Sequence, residues 1–165
     1  MDIKEAMAKA LELERKGREY YLEVANSTDN QFVKDVFNYV ADQEVFHEKE
    51  IQGYIESSDV GMEDVENDSN EIKTFFNKKV EDFKSELKAS EDHTEAYEKA
   101  MDLEQHAYNF YKEQYELTDD EKLKKFLTFL MNQESGHYSL FKNARDYLQN
   151  PESFHMEMED WNFEG

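Results

Sequence analysis

The chain has 165 residues, enough for one compact domain with a substantial core. It contains no cysteine, which excludes disulfides, thiolate catalysis, Cys-ligated zinc and iron–sulfur clusters, so any metal must be bound by carboxylate and imidazole groups. Its 40 acidic and 19 basic residues give a formal net charge of -21, which argues against nucleic-acid binding because such a surface repels phosphate backbones.

The composition also predicts a helical protein. A single proline and five glycines, with abundant Glu, Lys, Leu and Ala, are typical of long helices with few turns. No apolar run approaches the roughly 20 residues needed to cross a bilayer. The segment MDIKEAMAKALELE lacks the basic-then-apolar layout of a secretory signal. We therefore expect an all-α protein in the cytoplasm, without membrane partners.

In chain order, the first helices are predicted over about 3–25 and 31–56, with a turn and an N-cap at Ser27-Thr28-Asp29. A long crossover of about 58–91 follows; it begins polar and acidic, and helical spacing over 71–88 predicts a short extra helix.

Two further helices are predicted over about 92–117 and 120–148, and Asn150-Pro151 stops the second one. The remaining C-terminal tail, 151–165, carries apolar residues that suggest docking on the bundle or on another subunit. Disorder is the alternative for this tail.

The chain contains an internal repeat. Residues 2–57 align with 92–147 at an offset of 90 positions without a gap. Two similar helical hairpins joined by a long connection predict a ferritin-like four-helix bundle over 1–150, with one crossover. Identical pairs include Glu14/Glu104, Tyr21/Tyr111, Gln43/Gln133, Glu44/Glu134 and His47/His137.

Six ionisable residues interrupt the apolar faces of these predicted helices. Buried carboxylates that lack partners are costly, and several together repel one another, but two divalent cations would neutralise four of them. Glu from two helices and Glu-x-x-His from the other two form the ligand set of di-iron and di-manganese carboxylate proteins. The predicted metal ligands are Glu14, Glu44, His47, Glu104, Glu134 and His137.

Single residues of these motifs also have interpretations that do not involve a metal. A lone E-x-x-H is a weak signal on an acidic helix; its recurrence at one offset favours the metal site. Tyr21 and Tyr111 either donate hydrogen bonds near the metals or only pack in the core. The repetition of Gln43 and Gln133 can be inherited without a function. Three histidines lie off the repeated pattern and are expected at the surface: His93, His106 and His155.

The pattern A-x-x-x-E-x-x-G-x-x-x-Y, seen at Ala10, Glu14, Gly17 and Tyr21, together with the two E-x-x-H motifs, resembles the rubrerythrin-like branch of the ferritin-like superfamily. Two departures matter. Rubrerythrins carry a Cys-ligated rubredoxin-like domain, and this chain has no cysteine. They also carry an additional ligand Glu three residues after the third-helix Glu, where this chain has Ala107.

The resemblance implies a centre of two iron ions, with manganese, or zinc in the isolated protein, as alternatives. It implies reduction of hydrogen peroxide or dioxygen, with an external electron donor such as a rubredoxin-like or flavin protein, and a homodimer. A second hypothesis is iron handling as a ferroxidase, storage or delivery protein. A third is a binding or scaffolding module with a structural metal.

Overall fold

The computed structural model describes residues 2–57, 68–85, 89–90 and 92–152. These residues form five helices: α1 (Ile3–Ser27), α2 (Gln31–Ser57), α3 (Asp68–Phe83), α4 (Thr94–Leu117) and α5 (Glu121–Gln149). No strand occurs among them, so the all-α prediction is confirmed. None of the described helices is both long and apolar enough to cross a membrane. The first part of the predicted crossover and residues 153–165 of the predicted tail lie outside the described residues.

Three of the helices begin at a side chain that accepts a hydrogen bond from the backbone N–H three residues later. Asp2 accepts at 2.8 Å before α1, and Asp120 accepts at 3.3 Å before α5. Asn30 accepts at 3.2 Å before α2, so the cap is the residue after the Ser27-Thr28-Asp29 turn. These contacts satisfy N–H groups that the first helical turn leaves without a partner.

The four long helices form a bundle of two hairpins. α1 packs along α2 and α4 along α5, while contacts between α1 and α4 and between α2 and α5 close the bundle. α1 and α4 run antiparallel: Ala6 and Met7 at the start of α1 share one apolar cluster with Ala107 and Tyr111 near the end of α4. A second apolar cluster, with Phe32, fills the other end. The repeats are therefore related by a pseudo-twofold axis across the bundle.

The extra helix predicted over 71–88 corresponds to α3, which begins three residues earlier and ends at Phe83, while residues 86–88 lie outside the described residues. α3 packs on α5 and α2. Ile72 of α3 lies against Gly136 of α5, where a Cβ atom would come within 2.7 Å of the Ile72 Cδ1 atom. The ring of Phe75 stacks on Tyr39 of α2, with 3.9 Å between ring centroids. α3 therefore packs on one side of the bundle through two contacts. One is the contact of Ile72 with Gly136, which we call the glycine notch, and the other is the stack of Phe75 on Tyr39.

Candidate metal centre

The six predicted ligand residues converge in the middle of the bundle. All are buried, and they lie on four different helices between the two apolar clusters. We call them the Glu/His cluster: Glu14 on α1, Glu44 and His47 on α2, Glu104 on α4, and Glu134 and His137 on α5. The helical spacing of three residues places the Glu and the His of α2 on one inward face, and the same holds for α5.

The two imidazoles lie side by side and direct Nδ1 toward the carboxylates. Their ring centroids are 5.4 Å apart at an interplanar angle of 24°. Nδ1 of His137 lies 3.1 Å from Oε1 of Glu44 and 3.4 Å from Oε1 of Glu104. Nδ1 of His47 lies 3.6 Å from Oε2 of Glu14. Each imidazole therefore approaches carboxylates from both repeats.

Several carboxylate oxygens and imidazole nitrogens of the cluster are fully buried and make no hydrogen bond of acceptable geometry within the described residues, even where two of them lie close together. They are Oε1 of Glu44, Oε1 of Glu134, Oε2 of Glu104, and Nδ1 of His47 and of His137. One possible ligand atom from each residue of the two Glu-x-x-His motifs lies within 4.8 Å of the other three. Buried polar atoms are normally satisfied, so this group fits a bound cation, and carboxylate with imidazole suits iron, manganese or zinc.

The crowded carboxylates differ in their affinity for protons. Burial raises the pKa of Glu134, and the neighbouring Glu104 and Glu44 charges raise it further. Burial would raise the pKa of Glu44 too, but contacts with His137 and His47 outweigh it and lower that pKa to about 2. In the metal-free protein, the raised pKa therefore favours a proton on Glu134, and the lowered pKa favours a negative charge on Glu44.

The imidazoles are shifted toward the protonated form. Burial by itself lowers the pKa of His47, but Glu44 more than compensates and the pKa is raised. In the same way, Glu104 and Glu44 outweigh burial and raise the pKa of His137. A cation would take the place that these protons occupy in the metal-free protein, because metal ligands must be deprotonated.

Tyr21 and Tyr111 each donate a hydrogen bond to the cluster across the repeats. The hydroxyl of Tyr21 lies 2.8 Å from Oε1 of Glu104, and that of Tyr111 lies 2.7 Å from Oε1 of Glu14. Burial raises the pKa of both phenols, and the nearby carboxylates raise it further, so both hydroxyls keep their protons. Of the two interpretations from the sequence, these contacts favour the hydrogen-bonding one.

Gln43 and Gln133 also contact the cluster, a role that their repetition alone did not reveal. Oε1 of Gln133 lies 2.9 Å from Nε2 of His47. Oε1 of Gln43 makes the equivalent hydrogen bond with Nε2 of His137. Each glutamine immediately precedes the glutamate of its own repeat but contacts the histidine of the other. The exact repetition of Gln before each E-x-x-H was the available signal.

The other histidines are not part of the cluster. His106 is exposed. His93 was expected at the surface but is half-buried just before α4, where its Nε2 lies 2.8 Å from Oγ1 of Thr28. His155 lies outside the described residues.

Two cavities flank the cluster. A small one of about 10 Å³ lies on the α1/α4 side, where its lining includes Gly17, Ala107 and Glu104. A larger one of about 370 Å³ lies on the glutamine side, where Asp42 and Glu71 line it together with His47. The small cavity is close to the volume that one water molecule needs, so any molecule bound there must be very small.

One of three comparisons with known proteins identifies the family of the chain. The family model described as Rubrerythrin matches residues 5–145 of the chain. The comparisons with curated proteins and with solved structures find no match. The matched range contains the whole Glu/His cluster and the repeated tyrosines and glutamines, and it covers α2 and α4 completely and most of α1 and α5. The chain therefore belongs to the rubrerythrin family and has its ferritin-like bundle.

Proposed function

We propose that the Glu/His cluster binds two iron ions and that the protein reduces hydrogen peroxide or dioxygen with electrons from a separate donor protein. The observation that carries this proposal is the group of buried carboxylate and imidazole atoms without hydrogen-bond partners. Four carboxylates would neutralise two dications, and one imidazole would be available to each. The six ligands would be Glu14, Glu44, His47, Glu104, Glu134 and His137.

When bound, two ferrous ions supply the two electrons that cleave one O–O bond. Peroxide reduction then balances as one peroxide, two electrons and two protons giving two water molecules. The apolar clusters on either side exclude bulk water from the cluster. The phenols of Tyr21 and Tyr111 hold Glu104 and Glu14 in place, so that these carboxylates keep their geometry when the charge at the centre changes.

The small cavity beside Gly17 and Ala107 supports a small oxidant as substrate. Its volume of about 10 Å³ leaves no room for an organic substrate inside this cavity. Rubrerythrins carry an additional ligand Glu at the position that Ala107 occupies in this chain. Without that carboxylate, the two halves of the cluster are symmetrical, and the cavity is bordered by two small residues instead.

Iron handling as a ferroxidase is the second candidate function. One observation favours it: the larger cavity reaches His47 and is lined by the acidic residues Asp42 and Glu71. Together with a net charge of -21, these side chains would attract ferrous ions toward the cluster. A ferroxidase would keep taking up iron after the first two ions, whereas a peroxidase would not.

The test is anaerobic loading with ferrous iron, followed by stopped-flow mixing with peroxide and, separately, with dioxygen. We expect two irons per chain and much faster oxidation by peroxide. The double variant Glu44→Ala/Glu134→Ala should lose the bound iron and the fast reaction with peroxide. The control Glu56→Ala, which changes an exposed carboxylate on α2, should keep both properties.

Each contrary result has a definite meaning. Faster oxidation by dioxygen with continued uptake of iron would replace the peroxidase proposal by the ferroxidase one. A metal that binds but does not cycle between oxidation states would indicate a scaffolding module with a structural metal. A wild-type chain that binds neither iron nor manganese would refute the metal centre.

A further inference from the structure

Each histidine of the Glu/His cluster has a second ring nitrogen, Nε2, that points away from the carboxylates. Nε2 of His47 lies 2.9 Å from Oε1 of Gln133. Nε2 of His137 contacts Oε1 of Gln43 in the same way. These two contacts link α2 to α5 in both directions, and each joins a histidine of one repeat to a glutamine of the other.

The amide of Gln43 makes a second hydrogen bond. Its Nε2 donates a hydrogen bond of 2.8 Å to the hydroxyl oxygen of Tyr39, one helical turn earlier on α2. The ring of Tyr39 is itself stacked on Phe75 of α3. Because the amide nitrogen is directed to Tyr39, the amide oxygen is the atom presented to His137.

An amide oxygen can only accept, so the ring nitrogen that faces it must carry the proton. In a neutral imidazole only one nitrogen is protonated. A proton on Nε2 leaves the lone pair on Nδ1, which is the atom directed at Glu44 and Glu104 in His137 and at Glu14 in His47. The hydrogen bond on the outer nitrogen thus decides which nitrogen is available inside.

We infer that Gln43 and Gln133 are positioning residues, each of which fixes the tautomer and the ring orientation of the histidine in the opposite repeat for metal binding through Nδ1. This inference rests on the metal-binding part of the proposed function and is independent of the oxidant that the centre reduces. Partners of this kind typically change metal affinity by about 10–100-fold when they are removed.

The two glutamines have different residues one helical turn before them. The second repeat has Phe129 at the position that corresponds to Tyr39, so no tyrosine hydroxyl precedes Gln133 by one turn. The Phe129 ring instead packs against the edge of His47, with 5.9 Å between centroids. A Tyr39→Phe substitution should therefore affect the ring of His137 and leave that of His47 unchanged.

The experiment uses zinc as a diamagnetic probe and separates a positioning role from simple packing. Gln133→Met and Gln43→Met keep the approximate side-chain shape but remove the acceptor, whereas Gln133→Glu and Gln43→Glu restore an acceptor oxygen. Gln52→Met, at an exposed position of α2, is the matched control. Zinc stoichiometry and affinity are measured by competition with a chromophoric chelator. The ring nitrogens are assigned by long-range proton–nitrogen NMR on the full chain with labelled histidine.

We expect the wild type to bind two zinc ions, with both rings protonated at Nε2 and bound through Nδ1. Each Met variant should weaken the binding of one zinc ion by about 10–100-fold. It should change the ring-nitrogen signals of the histidine in the opposite repeat and leave those of the other histidine unchanged. The Glu variants should recover most of the affinity, and the control should match the wild type.

Met variants with unchanged zinc affinity and unchanged ring nitrogens would overturn the inference, and so would a ring that is protonated at Nδ1 in the zinc-bound wild type. The wild-type spectrum decides this point even if a variant does not fold. A wild type that binds no zinc would overturn the metal centre together with the inference. A zinc-binding wild type that gives the expected result but whose iron form does not react with peroxide would leave the inference standing and refute only the proposed reaction.

Discussion

The hydroxyl of Tyr21 on α1 donates a hydrogen bond to Oε1 of Glu104 on α4, in the other repeat. Both groups are buried, so no water molecule from bulk solvent can replace the hydroxyl if it is removed. We expect Tyr21→Phe to lower the free energy of unfolding of the metal-free chain by about 1.5–3 kcal/mol, the usual range for a hydrogen bond to a charged group. Urea unfolding followed by circular dichroism measures this change.

Tyr115→Phe is the control for this experiment, because Tyr115 is an exposed residue on the same helix as Glu104. It should leave the urea midpoint unchanged. By the pseudo-twofold relation, Tyr111→Phe should destabilise the chain about as much as Tyr21→Phe. A Tyr21→Phe variant as stable as the wild type would show that the bond contributes nothing to the fold.

The metal-free protein is expected to be most stable at mildly acidic pH. The pKa of Glu44 is lowered to about 2 from an ordinary value of 4.5, so its stabilising contribution is present above pH 4.5 and is lost as the pH falls toward 2. The pKa of Glu134 is raised above 4.5, and those of His47 and His137 are raised above 6.5. Their contributions are present at low pH and are lost as the pH rises through the folded-state pKa values.

Urea unfolding of the chelator-treated chain at pH 6 and pH 8 tests this pH dependence. The free energy of unfolding should be lower at pH 8. Glu134→Gln should reduce the difference, because an amide does not titrate. Metal affinity should change in the opposite direction and rise with pH, since the ligands must lose protons to bind. A metal-free chain that is more stable at pH 8 than at pH 6 would contradict the assigned pKa shifts.

Filling the small cavity should slow oxidation without removing the metal. Ala107→Leu would place a branched side chain where the cavity has only about 10 Å³. We expect two irons per chain as in the wild type, at least a tenfold lower rate with peroxide, and a loss of stability of about 1–3 kcal/mol from overpacking. Stopped-flow absorbance and iron analysis measure the rate and the stoichiometry.

Gly17→Ala provides the contrast for this prediction. A Cβ atom at Gly17 would meet the nearest atom of the Tyr21 ring at 3.5 Å, an ordinary contact distance, so the fold should be close to the wild type. Because Gly17 also lines the small cavity, its single added methyl group should slow the reaction with peroxide, but less than the leucine at position 107 does. If Ala107→Leu reacted with peroxide at the wild-type rate, the small cavity would not be the position that the oxidant occupies.

A larger residue at Gly136 should loosen α3 from the bundle. Even the first carbon of a side chain there would come within 2.7 Å of the Ile72 Cδ1 atom, so the larger leucine of Gly136→Leu would displace the Ile72 side chain and weaken its packing on α5. We expect a loss of about 1–3 kcal/mol in the free energy of unfolding and faster amide hydrogen exchange in α3. Hydrogen-exchange mass spectrometry resolves the effect by segment.

Gly53→Ala is the matched control, because a Cβ atom at Gly53 meets nothing within 4 Å. Alanine is favoured over glycine inside a helix, so this variant should be more stable than the wild type by about 0.5–1 kcal/mol. Unchanged exchange in α3 of the Gly136→Leu variant would mean that the glycine notch does not determine how α3 docks.

The sequence predicted the helices and all six residues that converge in the bundle. A single E-x-x-H motif is a weak signal, but the repeat provides it twice at the same offset. Glu14 and Glu104 could be recognised as buried since they interrupt apolar faces at the same register. The role of Gln43 and Gln133 could not be predicted from the sequence. Each glutamine contacts a histidine of the other repeat, and nothing in the neighbouring sequence identifies that partner. The fit of Ile72 to Gly136 is likewise a property of how two distant helices pack.

The hydrogen bonds between the repeats have a consequence for how the two hairpins find their alignment. Four such bonds involve the Glu/His cluster, from Tyr21, Tyr111, His47 and His137. If one hairpin slid along the other by a single helical turn, about 5.4 Å, all four would break together. The ionisable groups would then face aliphatic and aromatic side chains, at a large desolvation cost. Contacts between apolar faces distinguish less sharply between two alignments of the hairpins. The polar layer therefore favours a single register between the hairpins, even before any metal binds.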